Sequence, residues 1–292
     1  MLGKGTKNPR ILTAALLAGL LGTAGCTGGS TNTGAPNASG LPDVVAQSGT
    51  IRIGMSPDLP PMEFRDEATG QVVGVDVEIA NAMAQQLGVK AEFVEQPFDQ
   101  LLNSVATGRV DIVMSGLSDT TERQKTVDFV DYFLSRAQFY SLQDRAAEFT
   151  SPESLCGKKL AVSKKTDYYL MVQKYDAETC GGKGRPAIEL LPTDSGSAAR
   201  LQLEQRRADV AVQSGENLAF FEKKDPAKFE TVLEPLPGKP FGVVVKKGDQ
   251  QMATAVQKAL TAVVDNGSYQ AILDKWGLGY GATRPVVNGV KP

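Results

Sequence analysis

The sequence predicts an α/β fold with a largely parallel sheet, laid down in two successive parts of the chain. Three observations predict it. Apolar and polar residues alternate over Ile51–Met55, as in a strand, and apolar residues then recur every fourth position at Val75, Ile79, Met83 and Leu87, as on one face of a helix. The same change of period returns between Val89 and Met114. A second series of such changes begins at Lys159, so the pattern fills most of a 292-residue chain whose length suits two domains.

Taken in order, Ile51–Met55 is the first strand, and the helix that follows closes at Gly88. Val89–Val94 reads as a strand. Phe98, Leu101, Leu102 and Val105 stand at helical spacing, with Gly108 as the stop. Val110–Met114 is a buried strand, and Asp119-Thr120-Thr121-Glu122 has capping-box spacing, which predicts a helix start there. In the second series, strands are expected at Lys159–Ser163, Ile188–Leu191, Ala208–Val212, Phe229–Leu233 and Phe241–Val245. Helices are expected at Tyr168–Tyr175, Ser195–Arg206 and Glu216–Lys223. Two C-terminal stripes, Met252/Val256/Leu260/Val263 and Tyr269/Ile272/Leu273/Trp276, predict two more helices.

Composition narrows the chemistry. With 41% hydrophobic residues the chain can bury sizeable cores. There is no histidine, which removes His-based triads, His-ligated zinc and the commonest general base. The 31 basic and 33 acidic residues form no basic stripe, which argues against nucleic acid. No cofactor motif is present, and no Cys-only metal site has enough ligands.

Residues 1–25 read as an export signal. Lys4, Lys7 and Arg10 precede the apolar run Ile11–Leu21, which is short for a membrane span, and small residues lead to Cys26. The Thr23-Ala24-Gly25-Cys26 ending resembles a bacterial lipobox, with Thr23 where leucine is usual; it implies a lipidated Cys26 (palmitate) at the mature N-terminus, against ordinary cleavage with a free thiol. Without the signal the balance is 28 basic against 33 acidic residues. Residues 26–47 follow as the anchor and a Gly/Ser/Thr-rich tether. Lipid on Cys26 leaves Cys156 and Cys180 as an even pair outside the cytoplasm, where a disulfide is expected over two free thiols.

At this point the chain resembles a known family. Gly74-Val75-Asp76-Val77-Glu78-Ile79-Ala80, Phe98-Asp99-Gln100-Leu101-Leu102, Gly108-Arg109-Val110-Asp111-Ile112 and above all Ser115–Arg123 are similar to the family 3 solute-binding proteins of ABC importers. Pro60-Pro61-Met62-Glu63-Phe64 and the closing Lys275-Trp276-Gly277 fit as well, over about residues 48–278. The resemblance implies a two-lobed, type II periplasmic-binding-protein-like fold with two crossover strands. Its parts are a large lobe (48–135 and 240–280), a small lobe (136–239) and a C-terminal tail (281–292). It implies a monomeric, non-enzymatic capture protein that closes on a polar amino acid or similar small carboxylate and delivers it to permease subunits, anchored at the outer face of the plasma membrane.

Site residues follow by position. Arg123 matches the family's carboxylate-binding arginine, a planar donor suited to two parallel hydrogen bonds. Ser115, Gly116 and Ser118 supply polar groups beside it, Phe98 packs on the ligand stem, and Thr166 with Asp167 belongs to the second lobe's anion loop. Ser56, Asp58 and Leu59 fall in the first ligand loop. Ser214 stands where the family carries the acid that holds the α-ammonium. Asp58, Asp119 and Asp167 are the candidates to replace that acid; each is also an ordinary turn, cap or first-turn residue. Without it, the ligand is either an amino acid gripped differently or an ectoine- or betaine-type solute, for which Phe98 offers an aromatic face. A ligand sensor for a membrane kinase and a cyclohexadienyl dehydratase-like enzyme complete the alternatives.

Overall fold

The computed structural model describes residues 40–291; the signal, Cys26 and most of the expected tether lie outside them. The chain runs α1 (Asp43–Ser48), β1 (Thr50–Met55), β2 (Asp58–Leu59), β3 (Glu63–Arg65), β4 (Val72–Val73), α2 (Val75–Leu87), β5 (Lys90–Glu95), α3 (Leu101–Ala106), β6 (Ile112–Val113), β7 (Val127–Ser135) and β8 (Ala137–Leu142). It continues with β9 (Lys159–Ser163), α4 (Tyr168–Thr179), β10 (Glu189–Thr193), α5 (Gly196–Glu204), β11 (Val210–Ser214), α6 (Gly215–Lys224), β12 (Phe229–Val232), β13 (Lys239–Lys246), α7 (Gln250–Asp265), α8 (Ser268–Trp276) and β14 (Ala282–Val287).

Two sheets make two lobes. The first has the order β14-β7-β13-β6-β1-β5 and the second β10-β9-β11-β8-β12. The chain leaves the first sheet at Arg136, between β7 and β8, and returns with β13, whose Lys239 pairs with Ser135. Each sheet is mixed rather than largely parallel. β1 is parallel to β5 and β6, and β9 to β10 and β11, as α/β crossovers require. The long connecting strands β7, β8 and β13 pair antiparallel with their neighbours and carry the chain across.

Each sheet is covered on both faces. In the first lobe α2, α7 and α8 bury Ile79, Met83, Val256, Leu260 and Leu273 in one core, and α3 buries Leu101 and Val105 in another. α2 ends as its sequence dictates: Gly88 takes a left-handed φ of 72° and its N–H returns to the carbonyls of Ala84 and Gln85. In the second lobe Tyr168 and Val172 of α4 lie on one face, Ala199, Leu203 and Leu218 of α5 and α6 on the other. The Cys156–Cys180 disulfide is present, with Cα atoms 5.4 Å apart.

Two expectations are corrected. Part of the tether is folded: α1 begins at Asp43, and the apolar side chains Leu41 and Val45 are buried in the large-lobe core. Within the C-terminal tail, residues 282–287 form β14 on the free edge of β7. Asp119 caps no helix; only a 3-10 turn forms at Arg123–Lys125, and it is Thr120 whose hydroxyl accepts from the Arg123 N–H.

Candidate functional site

A cleft partly open to solvent lies between the lobes. The first lobe lines it with Asp58, Leu59, Phe98, Gly116, Ser118 and Arg123. The second contributes Ser163, Lys165, Thr166, Asp167 and Tyr168 from the turn into α4, Asp194, Ser195 and Gly196 from the turn into α5, and Gln213 from β11. Eight of the eleven residues expected from the sequence therefore meet in one place.

The lobes are drawn together over this space. Ser118 Oγ donates to Asp167 Oδ1 at 3.0 Å, and Lys165 Nζ stands 3.2 Å from Asp99 Oδ2. Elsewhere between the lobes Asn217 Nδ2 donates to the Pro60 carbonyl at 2.6 Å and Lys224 pairs with Glu67 at 2.7 Å.

The loop bearing Arg123 is tightly held. Ser118 forms an isolated bridge to Phe241, and Asp119 N–H donates to the Pro240 carbonyl. Arg123 Nη1 donates to the Ser118 carbonyl at 2.8 Å, which fixes one edge of the guanidinium of this cleft-lining residue. Burial lowers the Arg123 pKa, opposed by the negative charge of Asp167, yet an arginine stays cationic.

Three expected residues do not line the cleft. Ser115 is buried behind it, accepting from Ser56 N–H at 2.9 Å and donating to Glu63 Oε1 at 2.8 Å. Both serines thus brace the floor of the site. The neighbouring Gly116 N–H donates to Asp76 Oδ2 at 2.9 Å, and Tyr132 donates to Asp76 Oδ1 at 2.6 Å. Burial, reinforced by the Asp76 charge, holds the Glu63 carboxyl well above its usual range. Ser214 is fully buried at the end of β11, beside Glu216, so the side chain that faces the cleft from this strand is Gln213. Gly196 makes room for it: a Cβ there would lie 2.1 Å from Gln213 Nε2.

Thr166 lines the cleft, but its donors turn inward. Its N–H and hydroxyl both reach the Ser163 carbonyl, at 3.3 and 2.9 Å. Of the three candidate acids, Asp119 points away, accepting from Gln124 and from the Val290 N–H. Asp167 is neutralised by Lys239 at 2.8 Å. Asp58 remains in the cleft, where loss of hydration pushes its pKa up against the opposing pull of its own backbone N–H, Ser56 and Lys165. Lys165, Asp194 and Gln213 were missed in the sequence; the only signal was their adjacency to Thr166, Ser195 and Ser214.

Among the described residues no cluster of three or more His, Cys, Asp or Glu is placed to hold a metal ion, and no helix is long and apolar enough to cross a membrane.

Residues 51–279 match the family described as bacterial extracellular solute-binding proteins, family 3. An arginine-binding protein of Corynebacterium glutamicum is 30% identical over 238 residues, spanning 82% of this chain and 77% of that protein. A putative ABC transporter arginine-binding protein of Escherichia coli is 32% identical over 234 residues, spanning 78% and 90% respectively. The structure of an ancestral arginine-binding protein bound to arginine superposes with a TM-score of 0.70 at 32% identity, covering 78% of this chain and 98% of that one. With the two-lobed fold and the loop around Arg123, these matches settle the family: the chain belongs to the bacterial extracellular solute-binding proteins of family 3.

Proposed function

We propose that this protein is the extracytoplasmic capture subunit of an ABC importer and takes a polar amino acid, the cationic ones first. It is a binding protein and not an enzyme, as its relatives are. One observation carries the ligand class. The cleft's other charges are paired: Asp167 with Lys239, Lys165 with Asp99, Asp194 with Lys164. Arg123 and Asp58 line the same cleft and form no ion pair among the described residues. One unpaired cation and one unpaired anion complement a molecule that carries a carboxylate and a positive group. Arg123 takes the carboxylate and Asp58 the cation, which replaces the acid absent at Ser214. The relatives named for arginine agree in ligand class.

Neither an ectoine- or betaine-type ligand, a kinase-sensing role nor dehydratase chemistry is favoured by the comparisons. Calorimetry with arginine, lysine, histidine, glutamine, betaine and ectoine decides the class. Arg123→Ala is expected to abolish amino-acid binding and Asp58→Asn to weaken it by about ten- to a hundredfold. Unchanged affinity in both variants would sink the assignment.

The anchor belongs to the same reading. Cys26, outside the described residues, carries the lipid that holds a monomeric protein at the outer face of the plasma membrane near its permease. Cys26→Ala is expected to release the protein into the medium, and retention in the membrane fraction would count against the anchor.

A further inference from the structure

The family match ends at residue 279, yet the next twelve residues include a strand and a docked end. Past β14 the chain stays on β7: Asn288 N–H donates to the Phe129 carbonyl at 3.0 Å, and Asn288 Oδ1 accepts from the Phe129 N–H at 2.8 Å. Gly289 N–H then donates to Asp131 Oδ2 at 3.1 Å and Val290 N–H to Asp119 Oδ2 at 3.2 Å.

Gln124 closes the arrangement. Its Nε2 donates to Asp119 Oδ1 at 2.7 Å, to Asp119 Oδ2 at 2.9 Å and to the Val290 carbonyl at 2.9 Å. Its own carbonyl accepts from Lys247 Nζ at 2.6 Å. Gln124 and Arg123 are neighbours in a single 3-10 turn, one side chain fastened to the chain's end and the other lining the cleft. Asp119 is buried and directly follows Ser118, whose carbonyl holds Arg123 and whose hydroxyl reaches Asp167.

We propose that the C-terminal residues beyond the family-matched region are part of the binding machinery, Val290 locking the Arg123 loop in its productive position through Gln124 and Asp119 while Gly289, held on Asp131, keeps Val290 in place. Gln124 is a positioning residue: it touches no ligand and acts by fixing the turn that aims the guanidinium. A loop tied on one side only, to β13, has freedom that binding must remove; tying it on the second side removes it beforehand. The effect on ligand rests on the carboxylate role given to Arg123, whereas the locking itself does not.

The test uses the full chain in three forms: Gln124→Met, which keeps length and removes the donor, deletion of residues 289–292, and both together. Each is labelled with ¹⁵N-arginine, and the Arg123 Nε–H signal is assigned by its loss in Arg123→Ala. Without ligand, all three are expected to shift or broaden that signal and speed amide exchange over residues 118–124. The rest of the spectrum should stay unchanged, which a general loss of stability would not produce. With arginine, each is expected to bind roughly tenfold more weakly through faster dissociation, and the combined form no worse than either alone, because all three break one link. An unmoved Arg123 signal, or losses that simply add, overturns the proposal. Retained arginine affinity in Arg123→Ala overturns instead the carboxylate assignment, leaving the ligand-free spectra to judge the lock.

Discussion

Replacing Gly116 by alanine tests the floor of the site and its stability together. Gly116 has a left-handed φ of 52°, and its N–H is bound to buried Asp76. A Cβ there would lie 2.4 Å from Leu59 Cδ2, so the leucine must swing into the cleft that it lines. The left-handed backbone costs a non-glycine residue about 1–2 kcal/mol. Forcing Leu59 off its rotamer adds roughly 0.5–1.5 kcal/mol, so Gly116→Ala is expected to cost about 1.5–3.5 kcal/mol. Gly88→Ala is the control: it carries the same backbone penalty at φ 72° with no atom within 4 Å of the new methyl. Both residues sit in the large lobe, as does Trp276, the only tryptophan in the sequence, which packs edge-on against Phe64. Urea unfolding followed by tryptophan fluorescence therefore reports the lobe concerned. A larger loss is expected for Gly116→Ala, with a drop in arginine affinity for that variant alone. Equal destabilisation, or a ligand affinity indifferent to Gly116→Ala, would refute the link between Gly116, Leu59 and the cleft.

Three further outcomes are expected. Replacing Cys156 and Cys180 by serine opens a loop of sequence separation 24 in the small lobe and should cost about 3 kcal/mol, measured by circular dichroism in denaturant; a loss under a third of that would show the reduced chain to be constrained already. Asp131 is held up to about pKa 7, by burial and then by Asp119. It keeps its proton in the folded chain where the unfolded chain, with a pKa near 4, has lost it, so its contribution to stability falls as pH rises from about 4 to 7. Asp131→Asn, which keeps an acceptor for Gly289, should match the parent near pH 4 and melt progressively higher than it by pH 8; a constant offset across that range would contradict the assignment. Lys239→Met leaves Asp167 unpaired beside Arg123 and should weaken carboxylate binding at pH 7, an effect that a simultaneous Asp167→Asn should reverse; weakening that persists in the double variant would assign Lys239 a direct role.

What could be read from the chain was what local periodicity encodes. α2, α7 and α8 were legible because long apolar stripes and glycine stops specify a helix without reference to the rest of the molecule. β2, β3 and β4 were not, because strands of two or three residues have no period to count; they exist by pairing with one another. The capping-box spacing at Asp119 misled for a related reason. A buried carboxylate can be satisfied by a local N–H or by a distant one, and here Val290, 171 residues away, supplies the donor together with Gln124. Similarly, β14 has no apolar stripe strong enough to announce it, and forms because the free edge of β7 offers a row of unpaired backbone groups.

The same distinction explains the site. Position within the family resemblance located eight residues that line the cleft, but a charge's availability depends on its partner, and partners lie far off in sequence. Asp167 and Lys239 are 72 residues apart, and nothing around Asp167 announces that a lysine neutralises it. Asp58, unremarkable in its turn, is left without an ion-pair partner because Lys165 of the opposite lobe is bound to Asp99 instead. On the proposed reading, Asp58 serves for the acid absent at Ser214. Had an acid remained there, at the fully buried end of β11 next to Glu216, two carboxylates would share one desolvated corner, a costly arrangement when Glu216 alone is already pushed up to about 7. On that reading an anion at Asp58, exposed on the other lobe, avoids the repulsion and leaves one positive and one negative group for the ligand.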